Sequence, residues 1–169
     1  MLIKIFSYFF IAVLLTSMGC AKKEDSQDIN DYAETIIFGR FILSSGCFES
    51  ESCVEIFKIS SKGLAEDIND NVPNNDGFYD GNFSTILTNS DYRQVETLFR
   101  TSIPKELLEM DSGSLGTFPS WNTNNYYFEY KSSKIHKHWI IDGSFDGSLG
   151  ITLQNFIQKI QDAVNISTI

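Results

Sequence analysis

Positive charge is scarce in this sequence: 13 Lys and Arg stand against 22 Asp and Glu, a formal net charge of −9 over 169 residues. Such a surface repels phosphate backbones, which argues against a nucleic-acid partner, and it tolerates or attracts cationic ones. Histidine occurs twice, at His136 and His138, so imidazole chemistry is confined to one stretch. The three cysteines never form the Cys-x-x-Cys spacing usual in catalytic redox pairs. G-x-S-x-G and H-E-x-x-H are absent, and no phosphate-cradling glycine loop follows a strand. Carboxylates are so numerous that no acid–base pair stands out, and no motif asks for a cofactor.

Long apolar runs are also missing, with one partial exception at the amino end. Lys4 is followed by an apolar stretch from Ile5 to Leu15, broken by Ser7 and Tyr8. A bilayer-spanning helix needs about 20 such residues, whereas a run of about 10–14 suits a secretory leader. Gly19-Cys20 ends the run, and a polar segment follows. Ser17 and Gly19 would satisfy the general signal peptidase, which prefers small residues at −3 and −1. The stretch LLTSMGC resembles the bacterial lipoprotein signal, matching it at Gly19 and Cys20, with Ser17 and Met18 where that signal usually has Leu and a small residue.

Cysteine arithmetic favours the lipoprotein reading. Cys20, Cys47 and Cys53 leave an odd thiol in an oxidising envelope, whereas acylation of Cys20 leaves two that can pair. Residues 1–19 are then the signal peptide, and 20–31 are the lipidated Cys20 and a flexible tether too polar to bury a core. Cleavage removes Lys4 alone among the charged residues and leaves net −10. Lys-Lys-Glu-Asp after Cys20 resembles an export tag of some Gram-negative lipoproteins. The expected location is the bacterial outer membrane, on either face. Cys47 and Cys53 enclose five residues, and in that compartment a disulfide is expected, stabilising by about 2 kcal/mol.

Residues 32–169 read as a single globular α+β domain. We expect a mainly antiparallel sheet of four to five strands with two amphipathic helices on one face. TIIFGRFIL (35–43) is a largely buried strand; CVEIFKIS (53–60) alternates; short strands follow near 64–67 and 83–87. Residues 69–82 are turn formers and acids, hence a loop. DYRQVETLFR (91–100) has a helical apolar face with Ser90 or Asp91 as its cap, Pro104 starts a short helix, and 151–164 is the last helix. Residues 111–125 form a long loop carrying Phe118 and Trp121. In 126–141 a Ser132-Ser133 turn would set Tyr130 opposite Ile135, Glu129 opposite His136 and Tyr127 opposite His138. Tyr126, Phe128, Tyr130, Trp139 and Ile141 then face the core, while Tyr127, Glu129, His136 and His138 face solvent.

Cys47, Phe48, Cys53 and Gly63, in that order and followed by a helix, a late hairpin and a terminal helix, resemble secreted domains of bacterial envelope lipoproteins. Their signature is roughly Cys-Phe-Gly-x-Cys-Pro-x-Tyr, then a strand and a glycine turn; here the cysteines are further apart. The resemblance implies a fold and a compartment and brings no assigned activity.

Few groupings suggest chemistry. Glu129, His136 and His138 on one sheet face could form an open metal site, although a cross-strand Glu–His pair explains them without metal. Asp142, Ser144 and Asp146 begin a calcium loop that lacks its closing acid, and the acids around 76–81 are equally incomplete. The reading these residues favour is a membrane-anchored, non-catalytic module that binds an unidentified protein or small ligand. Its candidate surfaces are the 111–125 loop, anchored by Phe118 and Trp121, and the acidic 66–82 loop. A second reading is an inhibitor or immunity protein against a cationic enzyme or toxin. An enzyme using the His136/His138 face is a third.

Overall fold

The computed structural model of the chain describes residues 33–44, 53–73, 77–100, 102–116, 122–143 and 150–168. In chain order these form β1 (Ala33–Ile42), β2 (Val54–Ser60), β3 (Gly63–Asp67), β4 (Phe83–Ile86), α1 (Asn89–Arg100), α2 (Lys105–Glu109), β5 (Gly113–Leu115), β6 (Asn124–Ser132), β7 (His136–Asp142) and α3 (Ile151–Ser167). The strands make one sheet in the order β4-β3-β2-β1-β6-β7-β5. All neighbours are antiparallel except β5 and β7. The α+β class is as expected, but seven strands are present among the described residues, not four to five.

β1 occupies the centre because its sequence is apolar on both sides. Ile36 and Phe38 point into the core beneath the helices, while Ile37 and Phe41 point to the opposite face. Gly39 permits the close approach of β2: a Cβ there would lie 2.2 Å from the Glu55 carbonyl oxygen and 2.8 Å from Ile56 Cα. On the helix side, Phe99 of α1 and Phe156 of α3 meet the strand aromatics, with Phe38–Phe99 and Phe128–Phe156 ring centroids each 4.9 Å apart.

α1 starts earlier than its apolar periodicity suggests. The cap is Thr88, not Ser90 or Asp91: its carbonyl accepts from the Tyr92 amide at 3.1 Å, and its hydroxyl bonds the Asp91 carboxylate one turn on. Pro104 sits just before α2 as its N-cap residue. β5 lies within the expected 111–125 loop. Lys137 Nζ donates to the Leu108 and Met110 carbonyls at 2.9 and 2.5 Å, and Trp139 Nε1 donates to the Asp111 carbonyl at 3.0 Å. Those bonds hold the connection along β7, so Gly113–Leu115 pairs with Trp139–Ile141. They also explain why a lysine belongs on the helix-covered face: its ammonium caps carbonyls at the end of α2.

The hairpin register differs by two residues from the expected one. Glu129 is opposite His138, Tyr130 opposite Lys137 and Tyr127 opposite Ile140. Ser132 is responsible: its Oγ accepts from the Lys134 and Ile135 amides at 3.2 and 3.0 Å, and its own amide donates to the Ile135 carbonyl at 2.7 Å. The turn therefore centres on Ser133-Lys134. An even shift preserves which side chains share a face.

Candidate functional site

The second face of the sheet is not open to solvent as its period-2 pattern suggests. Tyr127, Glu129 and His138 are buried, while Lys131 and His136 are exposed. What covers the face is the described part of the chain between β3 and β4, residues 68–73 and 77–82, which contacts β3, β6 and β7. Its contacts trace the route. Phe78 stacks on His136 of β7 with centroids 3.5 Å apart and meets His138 edge-on at 5.1 Å. The Tyr79 amide donates to Tyr127 Oη and to Glu129 Oε2 of β6, both at 3.0 Å. The Tyr79 hydroxyl donates to Asp67 Oδ2 of β3 at 2.5 Å and lies 2.9 Å from the Asn71 carbonyl. On the return leg, Asn82 N donates to Asp67 Oδ1 at 2.6 Å and Ile68 N donates to the Asn82 carbonyl at 3.1 Å. The segment is a strap bound at three strands.

Glu129 is the hub. Its Oε2 accepts from Tyr127 Oη at 2.6 Å as well as from the Tyr79 amide, and its Oε1 lies 2.9 Å from His136 Nε2. Both oxygens are engaged, with three of the roughly four acceptor positions of a carboxylate filled, so Glu129 ties the strap to β6 and β7. Burial pushes the Tyr127 hydroxyl well above the ordinary tyrosine value of 10.0, and Glu129 adds to the shift. Tyr79 is raised in the same direction, first by burial and then by Asp67. Both phenols therefore remain neutral donors.

Of the residues singled out in the sequence, Glu129 and His136 are brought together, and His138 stands opposite Glu129 in the hairpin and meets Phe78 edge-on. Among the described residues, no three His, Cys, Asp or Glu side chains converge as metal ligands would. Cys20, Cys47, Phe118 and Trp121 lie outside the described residues, as do 144–149 of the calcium-like loop. Cys53 is buried just before β2, and Asp142 is buried at the end of β7. One spacing not picked out from the sequence, Ser102-x-x-Lys105, is no catalytic pair: Ser102 Oγ bonds the Leu98 carbonyl, and Lys105 pairs with Glu109 at 3.5 Å.

No family model, no curated protein and no solved structure matches the chain. Among the described residues, no helix is long and apolar enough to cross a membrane. The residues that organise the site and that sequence reasoning passed over are Asp67, Phe78 and Tyr79. Their signal was an aromatic pair, Phe78-Tyr79, inside a run of turn formers, where aromatics have no reason to occur unless they pack on something.

Proposed function

We propose that the chain is a lipid-anchored module of the bacterial outer membrane that binds another protein or a small ligand and carries out no catalysis. One observation supports this reading above others. The large hydrophobic side chains exposed among the described residues are Ile68, Val72, Phe78 and Ile151, and the first three share the strap, at 52%, 38% and 46% exposure. Apolar groups presented on a segment already fixed by hydrogen bonds lose little entropy on binding, which suits an interaction surface. Acylated Cys20 is the anchor, a Cys47–Cys53 disulfide staples the approach to β2, and Phe118 and Trp121 are further apolar anchors for the partner.

The test is cross-linking of the full chain in native envelopes, followed by identification of what is captured. A discrete partner should be captured by the wild type and lost with Ile68→Ser combined with Val72→Ser, at unchanged thermal stability. Capture of the same partner by both proteins would contradict the reading. Binding that is insensitive to this pair but collapses with added salt would point instead to the inhibitor reading.

A further inference from the structure

We infer that one end of the sheet faces the membrane and contacts anionic lipid headgroups through Lys62, Lys131 and Lys134; this rests on the anchored reading above. The topology defines that end. β1 begins there at Ala33, opposite Ser132 of β6, and β2 ends there at Ser60, opposite Thr35. The β2–β3 turn and the β6–β7 turn therefore lie side by side at the end where residues 1–32 join the domain. Lys62 is in the first turn and Lys134 in the second, with Lys131 just before it, and all three are exposed.

Like these three lysines, Arg93 of α1 and Lys159 of α3 make no ion pair among the described residues, but the other cations of the domain are engaged. Arg40, Arg100 and Lys105 pair with Glu55, Glu96 and Glu109. Lys137 is held by carbonyls, and Lys58 lies over the Phe83 ring at 4.3 Å. Lys62, Lys131 and Lys134 have no ion pair among the described residues. In a chain of net −9, three exposed lysines at one end are a local concentration of positive charge. Glu34 and Asp91 lie at the same end, and Asp91 is bonded by the Thr88 and Ser90 hydroxyls. Residues 21–32 can reach about 40 Å when extended, enough to leave the domain free to turn. Three surface lysines would not recruit a soluble protein firmly, but on a tethered one they suffice to choose an orientation. That orientation directs the opposite end, where Ile68 and Val72 follow β3, away from the bilayer.

The experiment is lysine footprinting. The full chain, purified with its anchor, is placed in vesicles of phosphatidylcholine alone or of phosphatidylcholine with phosphatidylglycerol, labelled with an amine-reactive reagent and mapped by mass spectrometry. Labelling of Lys62, Lys131 and Lys134 should fall about tenfold on the anionic vesicles and recover in high salt, while Lys105 stays unchanged. Equal labelling of the three on both vesicle types would overturn the inference. Intact mass of the same sample separates the two claims. An acylated Cys20 without protection leaves the anchor and removes the orientation, whereas an unmodified Cys20 removes the anchor on which the orientation rests.

Discussion

Replacing Glu129 by alanine should release the strap. The variant removes the acceptor of three groups. Tyr127 Oη is fully buried and has no water to turn to, a loss of about 2 kcal/mol. The Tyr79 amide keeps Tyr127 Oη as a second acceptor, and His136 is exposed enough to be hydrated, so these two add about 1 kcal/mol together. The total, about 3 kcal/mol, corresponds to a fall in melting temperature of about 6–12 °C for a domain of this size. Urea unfolding measures the global loss, and hydrogen exchange measures the local one: the Tyr79 amide should exchange about a hundredfold faster. Glu129→Gln, which keeps one acceptor oxygen, should recover about half of the stability. A loss below about 1 kcal/mol, with Tyr79 protection unchanged, would refute the idea that Glu129 holds the strap.

Further expectations concern the frame around the site. Gly39→Ala places a methyl group against the β2 backbone and should destabilise by about 3 kcal/mol or more, seen as insoluble expression or a low urea midpoint. Thr88→Ala removes an exposed hydroxyl–carboxylate bond at the start of α1 and should cost about 0.5 kcal/mol by the same assay. Tyr127 and Tyr79 are raised in the folded state, so their contribution is complete below the ordinary tyrosine value of 10.0 and declines as pH rises above it. Alkaline titration of stability should show a downward slope of about 1.4 kcal/mol per pH unit for each of the two phenols, and Tyr127→Phe should halve it. Ile68→Ser with Val72→Ser should leave stability within about 0.5 kcal/mol of wild type while abolishing partner capture.

Local rules made some of this structure legible in the sequence. The β1 run, apolar at nearly every position, could only be a strand buried on both faces, and it sits at the centre of the sheet. The alternation in β6 and β7 assigned side chains to the correct faces, because parity survives a two-residue slip. Register itself depended on where Ser132 directs its hydroxyl, which period-2 counting does not see. β5 is three residues of Gly, Ser and Leu, and its pairing is created by Lys137 and Trp139 holding a distant carbonyl run. The burial of Glu129 and His138 was illegible for a similar reason. It is caused by Phe78 and Tyr79, about 50 positions upstream, and no local pattern in β6 or β7 records that a strap will cover them.

Whether the domain is held at a membrane by its amino end, as proposed, is decided by the intact mass of the protein purified from bacterial envelopes. The expected species begins at Cys20 with acyl groups attached and is two hydrogens lighter than its reduced form, from a bond between Cys47 and Cys53. A chain that still begins at Met1, or one that begins at an unmodified Cys20, would contradict it.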